Sequence, residues 1–243
     1  MHCETASTSL TGDRSENQDR CAILEDGDTL LLLLADGMGG HARGELAAAC
    51  FIETLSRAFP APGEQAGAEF LRRAFEQAHD DINTAGREAI PPAEPHTTAV
   101  ACLVRGEMAC WAHSGDSRLY LLRDGRVLLR TTDHSLVEEL VQLGELTEED
   151  RHSHPLRSHV TRALGGRQPP GTSLSAETRL MPGDVLLLCS DGLWSAVSEA
   201  RLTDLVRTTS LQDCVERLAS EAAANSAPGS DNVTLVALRS GEV

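Results

Sequence analysis

Four short apolar runs recur along the chain, and each has an aspartate at one end. Leu30–Ala35 runs straight into Asp36-Gly37. Met108–Ser114 leads to Gly115-Asp116, and Asp184–Ser190 ends on Asp191-Gly192. Near the end of the sequence, Asp231-Asn232 opens the run Val233–Leu238. Short continuous apolar runs bounded by turn residues are the pattern of strands covered on both faces. Other segments have helical spacing. His41–Phe59 carries Leu46, Cys50, Ile52 and Leu55 as an apolar face, and Pro60-Ala61-Pro62-Gly63 stops it. Glu64–Glu88 sets Phe70, Leu71, Ala74, Phe75, Ala78 and Ile82 on one side.

The remaining pattern fills in a mixed architecture. Residues 5–25 read as two short strands around the polar linker Gly12–Asp19. Strands are predicted at Thr97–Val104, Glu107–His113, Arg118–Arg123 and Arg126–Arg130, with Gly106 and Asp124-Gly125 as hairpin turns. Ser135–Leu143 reads as a short amphipathic helix. Strands follow at Thr172–Leu180 and Val185–Cys189, then helices at Glu199–Thr208 and Leu211–Ala224, and a last strand at Asp231–Leu238. Helices set among runs of antiparallel strands predict an α+β fold, a central antiparallel β-sandwich with helix pairs outside it. No repeat or linker divides the 243 residues, which predicts one domain. The stretch 144–170 is polar, irregular and rich in His and Arg. It is too long for an ordinary connection, so it reads as a flap.

Composition narrows the function. With 37 acidic residues against 21 basic ones, the formal net charge is -16, which disfavours a nucleic-acid partner. No segment reaches the length of a membrane helix, and Met1–Thr5 lacks the basic-then-apolar order of a signal peptide, so a cytoplasmic protein is expected. The seven cysteines include no Cys-x-x-Cys pair. Cys50, Cys102, Cys110 and Cys189 lie in apolar runs and read as small buried thiols. All 21 basic residues are arginine. That excludes a Walker-type phosphate loop and any lysine nucleophile or base. His113, His134, His152, His154 and His159 read as surface or flap residues.

The candidate chemistry lies in the aspartates. Taken alone, Asp36 before a glycine turn and a helix is an ordinary N-cap. If all four strand ends converge, however, four carboxylates share one cleft, and they cannot all ionise without cations between them. Carboxylates with no Cys or His set suit hard ions, Mg²⁺ or Mn²⁺ before Zn²⁺. A rival lies in Gly37-Met38-Gly39-Gly40-His41-Ala42, which fits the dinucleotide fingerprint Gly-x-Gly-x-x-Ala. There Asp36 would repel the pyrophosphate, and a second helix follows instead of a parallel strand.

In order along nearly the whole chain, these motifs resemble the bacterial PP2C-type, or PPM, metal-dependent protein phosphatases. Arg14-x-x-Asn17-Gln18-Asp19 resembles the first motif, and Asp36-Gly37-Met38-Gly39-Gly40-His41 the central metal motif. Thr97-Thr98-Ala99 resembles the buried strand motif. Gly115-Asp116-Ser117-Arg118 and Thr132-Asp133-His134-Ser135 resemble the middle section. Ser190-Asp191-Gly192-Leu193-Trp194 and Asp231-Asn232-Val233-Thr234 resemble the last two metal motifs.

The resemblance implies hydrolysis of phosphoserine and phosphothreonine in proteins by a hydroxide shared between two Mn²⁺ or Mg²⁺ ions, countering a cognate Ser/Thr kinase. It implies that Asp36, Asp191 and Asp231 hold one ion. Asp36 and the Gly37 carbonyl would hold the second, and Asp116 with Asp191 the third seen in bacterial relatives. Asp19 would orient the attacking water, and Arg14 would grip the substrate phosphate. Phosphorylated proteins are the expected partners, and a monomer is expected. Two positions depart from the family pattern. Gln18 stands where many members have Glu. Met38 stands where eukaryotic members carry a histidine that is a proposed general acid, which leaves His41 as the nearest candidate. A degenerate, non-catalytic member would be expected to lose metal carboxylates, and this chain keeps all four.

Overall fold

The structure is a computed structural model that describes residues 3–38, 43–59, 67–147, 150–152 and 154–241. Two antiparallel sheets face each other. The first is ordered β1-β11-β10-β6-β7: β1 (Cys3–Leu10), β11 (Val233–Ser240), β10 (Val185–Cys189), β6 (Arg118–Arg123) and β7 (Arg126–Arg130). The second is ordered β2-β3-β4-β5-β8: β2 (Asp19–Asp26), β3 (Thr29–Met38), β4 (His96–Arg105), β5 (Met108–Ser114) and β8 (Ser173–Leu174). The two-residue strand β9 (Thr178–Arg179) pairs with the other end of β5.

The predicted sandwich flanked by helices is the observed fold, and the β3 sequence shows why. Leu31, Leu33 and Ala35 join one core under the helices α1 (Arg43–Ala58) and α2 (Gly67–Glu88). Leu30, Leu32 and Leu34 point the other way, into the core between the sheets with Leu119, Leu186, Leu188 and Val236. A strand covered on both faces needs apolar residues at every position, which explains the unbroken run of leucine. A third core lies under α7 (Leu211–Asn225) on the far face of the other sheet. Phe51 meets Phe75 edge-to-face at 5.2 Å, joining α1 to α2.

Several expected elements are drawn differently. In α1 the buried apolar side chains are Ala47, Ala48, Phe51 and Leu55, whereas Leu46, Cys50 and Ile52 are only half-buried. The small alanines let the helix lie close to β3, so the face turns toward them. The strand expected over Thr172–Leu180 is two short pieces. Between them the Ser175 hydroxyl accepts the Trp111 amide at 2.9 Å, replacing a backbone partner. The helix expected over Glu199–Thr208 is split into α5 (Glu199–Leu202) and α6 (Asp204–Arg207), and the Thr203 hydroxyl at the break donates to the Ala200 carbonyl. Ser135 caps α3 (Leu136–Gln142) by accepting the Glu138 amide.

The 144–170 stretch is mostly irregular where described, with a single short 3₁₀ turn at Asp150–His152. It is pinned to the sandwich by bridges between Thr97 and Leu164 and between Ser135 and Val160. Arg151, one of the arginines in this stretch, is buried and pairs with Glu138 at 2.6 Å. Among the described residues, no helix is long and apolar enough to cross a membrane.

Candidate metal-dependent active site

The aspartates do converge. Asp36, Gly37, Asp116, Asp191, Asp231 and Arg14 line one cavity of about 660 Å³. Each comes from a different strand boundary. Asp36 lies inside β3, two residues before its end, so it does not cap α1. Asp116 sits in the tight turn between β5 and β6, and Asp191 opens the short helix α4 (Asp191–Trp194) directly after β10. Asp231 lies in the loop before β11. The expected strand there begins two residues late, which leaves Asp231 and Asn232 free to turn into the cavity and the adjoining loop.

Glycines set the close approaches. A Cβ on Gly37 would fall 2.2 Å from the Gly44 carbonyl oxygen, so β3 and the first turn of α1 touch backbone to backbone. A Cβ on Gly192 would fall 2.1 Å from the Asn232 carbonyl oxygen, which brings the Asp191 and Asp231 segments together.

The electrostatics are those of crowded carboxylates. Burial, followed by the charges of Asp19, Asp191, Asp116 and Asp231, pushes the Asp36 carboxyl well above its ordinary range. Asp191 is raised by burial and then by Asp116, Asp231 and Asp19. Asp116 is pushed up to about 7 by burial and then by Asp133. Asp19 lies behind the cavity at 2 % exposure, facing Asp36 across β2 and β3. Burial raises it to about 6 against the hydrogen bonds of Thr234 and Ser190. One Asp19 oxygen accepts the Ser190 hydroxyl at 2.8 Å, while Oδ1 is buried without a partner. Arg14 donates to Asp231 at 2.7 Å with its side chain 58 % exposed.

Oxygen donors only, mutual repulsion and an orphaned buried carboxylate oxygen all fit hard divalent cations. Among the described residues, no three His, Cys, Asp or Glu side chains form a group that could hold a metal ion by themselves. The carboxylates ring a cavity instead of closing on one point. That suits an ion such as Mg²⁺, which keeps several waters and is seldom held in an all-protein cage.

Of the expected site residues, the structure brings Arg14, Asp36, Gly37, Asp116, Asp191 and Asp231 to the cavity and places Asp19 behind it. His41 lies outside the described residues. Among the described residues, no histidine lines the cavity. Four side chains without an expected role support the site. Asn232 accepts the Gln18 amide and donates to the Thr11 and Glu16 carbonyls, fixing the loop that carries Arg14. Ser190 holds Asp19. Trp194 donates its indole N–H to the Asp116 carbonyl at 2.9 Å, and Arg118 lies 3.8 Å over the Trp194 ring. His113 and His134, read as surface residues, are buried and stacked at 4.5 Å. Adjacency to the motif aspartates marks Asn232 and Ser190 in the sequence. The apolar run that leads to His113, near the end of β5, was the corresponding signal for the histidines.

The dinucleotide reading fails on topology. After α1 comes α2, and the next strand, β4, pairs antiparallel with β3. Among the described residues, no strand–helix–parallel strand unit follows the glycines.

The comparisons agree with this architecture. The family model described as Protein phosphatase 2C matches residues 8–231, and the chain belongs to that family. A Mycobacterium tuberculosis relative named Serine/threonine protein phosphatase PstP is 39% identical over 209 residues, covering 85% of this chain. The chain spans only 39% of that relative's length. The solved Streptococcus agalactiae serine/threonine phosphatase superposes with a TM-score of 0.89 at 31% identity, covering 98% of this chain and 100% of its own. The catalytic domain of PstP in complex with two manganese ions superposes with a TM-score of 0.83 at 32% identity, covering 99% of each chain.

Proposed function

We propose that this protein hydrolyses phosphoserine and phosphothreonine monoesters in proteins, using two Mn²⁺ or Mg²⁺ ions, and so opposes a Ser/Thr kinase in the cytoplasm. The observation that carries this reading is the ring of Asp36, Asp116, Asp191 and Asp231 around one cavity with Arg14 at its side. The manganese ions named for the PstP structure support the choice of metal. Asp36, Asp191 and Asp231 would hold one ion, Asp36 with the Gly37 carbonyl the second, and Asp116 with Asp191 a third. Bound divalent ions supply charge neutralisation on the phosphoryl oxygens and lower the pKa of water toward neutrality.

The chain's own groups do the rest. Arg14, half in solvent, leaves Asp231 and makes a bidentate contact with the incoming phosphate. With Arg14 on the phosphate, Asp231 would be free to hold a cation. Asp19 keeps one oxygen tied to Ser190 and offers the other, which lacks a partner, as acceptor for a proton of the attacking water. Asn232 holds the Arg14 loop in register with Asp231, so phosphate and ions are positioned from one segment. Protonation of the leaving alkoxide is assigned to His41. The 144–170 segment forms one wall as a flap, contributing Ser158 and Val160 to the cavity. The working unit is a monomer.

The test is release of phosphate from a phosphothreonine peptide with Mn²⁺, with Mg²⁺ and after chelation. Turnover that requires the ion is expected. No turnover with either ion, in protein that still binds phosphopeptide, would make the chain a non-catalytic binding module.

A further inference from the structure

The turn that carries Asp116 is held by a group that takes no part in lining the carboxylate cavity. Gly115 adopts φ +105°, and a Cβ there would meet Thr98 at 2.5 Å, so no side chain of its own can anchor this position. Its amide instead donates to His134 Nδ1 at 3.1 Å, and its carbonyl accepts the His134 amide at 2.9 Å. Both backbone groups of the residue before Asp116 are therefore satisfied by one partner. The flanking positions are held separately. Trp194 donates to the Asp116 carbonyl, and the Ser117 and Thr98 hydroxyls lie 2.6 Å apart.

The His134 ring is itself oriented. Since Nδ1 accepts from Gly115, the ring proton sits on Nε2, which donates to the Ser173 hydroxyl at 2.8 Å. The ring stacks on His113 at an interplanar angle of 13°, and His113 Nε2 donates to the Thr132 carbonyl at 2.8 Å. His134 lines a separate cavity of about 550 Å³ with His113 and Arg162.

We propose that His134 is a positioning residue for the ligand Asp116: by gripping Gly115 through its ring and its backbone, it sets the place of the Asp116 carboxylate in the cluster. The proposal rests on the reading of Asp116 as a metal ligand. Groups that orient metal ligands from outside the ligand set typically change metal affinity by about 10–100-fold when removed. Here the oriented group is a carboxylate on a glycine-hinged turn, where loss of one anchor leaves the backbone free to shift.

The experiment is a Mn²⁺ binding isotherm by calorimetry, run without substrate, on His134→Ala, His134→Asn, Asp116→Asn and the double variant His134→Ala/Asp116→Asn. Asparagine places an acceptor oxygen near the position of Nδ1. His134→Ala is expected to weaken the Asp116-dependent binding step about tenfold, and His134→Asn to stay within about threefold of the unaltered protein. The double variant should match Asp116→Asn alone, since a positioning residue has nothing left to position. Unchanged binding in His134→Ala, or losses that add in the double variant, would overturn the proposal. An Asp116→Asn variant that binds Mn²⁺ normally would instead remove Asp116 from the ligand set, and His134 with it. If His134→Ala fails to fold, Ser173→Ala removes the Nε2 partner that orients the ring and so loosens the Nδ1 bond to Gly115. It should weaken the same step, and unchanged binding there would equally count against the role.

Discussion

Asp19 and Asp36 stand directly opposite each other on β2 and β3, so two carboxyl groups face each other across one strand pair. Like charges facing each other across a strand pair are destabilising. Burial and then the charge of Asp19 push Asp36 up, and burial pushes Asp19 up, so without a cation the pair holds a proton. The fold therefore stores repulsion where the ions are expected to bind.

Removing one of these charges separates stability from function. Asp36→Asn is expected to raise the melting temperature of the metal-free protein by a few degrees, since about 1 kcal/mol corresponds to roughly 2–4 °C at this size. It should also abolish the stabilisation given by Mn²⁺, together with turnover. Asp231→Ala should likewise end turnover while the protein stays folded. Thermal melts with and without Mn²⁺ check both, and near-normal Mn²⁺-dependent turnover in either variant would refute the assignment.

The same groups set the pH dependence. Asp19 and Asp116 stand at about 6 and about 7, above their ordinary range. A carboxyl raised in the folded state favours folding at low pH, and that contribution is lost as pH rises through the folded value. His134 acts in the opposite sense. Burial, then His113 and Arg162, lower it to about 3, so its neutral form favours folding above the ordinary histidine value. The clean readout is thus the gain from Mn²⁺ and not the total stability. That gain should grow between about pH 5.5 and about pH 7.5, as the ion no longer competes with protons. A pH-independent gain would mean that these carboxylates do not face the ion.

Arg14 is expected to act in substrate binding. Arg14→Ala should raise KM for phosphopeptides more than it lowers kcat, and Arg14→Lys should rescue only in part because a point charge cannot make the fork. Steady-state kinetics on one phosphothreonine peptide decide this, and unchanged constants would leave Arg14 as a surface residue.

Gly37→Ala places a methyl group within 2.2 Å of the Gly44 carbonyl oxygen, so the β3–α1 junction must shift. The expected cost is about 1–3 kcal/mol of stability, read by denaturant unfolding, and Mn²⁺ binding should fall with it. A variant as stable as the parent would show that the junction yields without cost.

The convergence of the cavity aspartates was legible in the sequence because each ends or opens a run that must be a buried strand. The sandwich was legible because the Leu30–Ala35 stretch of β3 is apolar at every position. What the sequence hid follows from long-range pairing. His134 sits in a polar stretch, and nothing local shows that its ring meets Gly115, nineteen residues away, behind the β5–β6 turn. Arg151 reads as one more flap arginine, yet Asp133 and Glu138 neutralise it inside the protein. Thr172–Leu180 alternates like a strand, but Ser175 breaks the ladder by bonding through its side chain.

The flap arginines can now be told apart. Arg167 pairs with Glu94 at 3.0 Å, and Arg162 lines the cavity beside His113 and His134. Arg157 lines a third cavity of about 340 Å³, which shares Arg14, Ser158, Asp191 and Asp231 with the carboxylate cavity. A protein of net charge -16 repels a phosphorylated substrate at long range, and a cation beside the cleft offsets that repulsion locally. Arg157→Ala should therefore lower kcat/KM for phosphoproteins several-fold at low salt, with little effect on p-nitrophenyl phosphate, which is too small to reach along the groove. The loss should shrink as salt rises, because exposed charges are screened over about 10 Å at 0.1 M. Arg162→Ala, facing the other cavity, should leave the salt dependence unchanged. Equal losses on both substrates for Arg157→Ala would mean that the flap supports the metal site itself. No loss on either would leave Arg157 outside the path of the substrate.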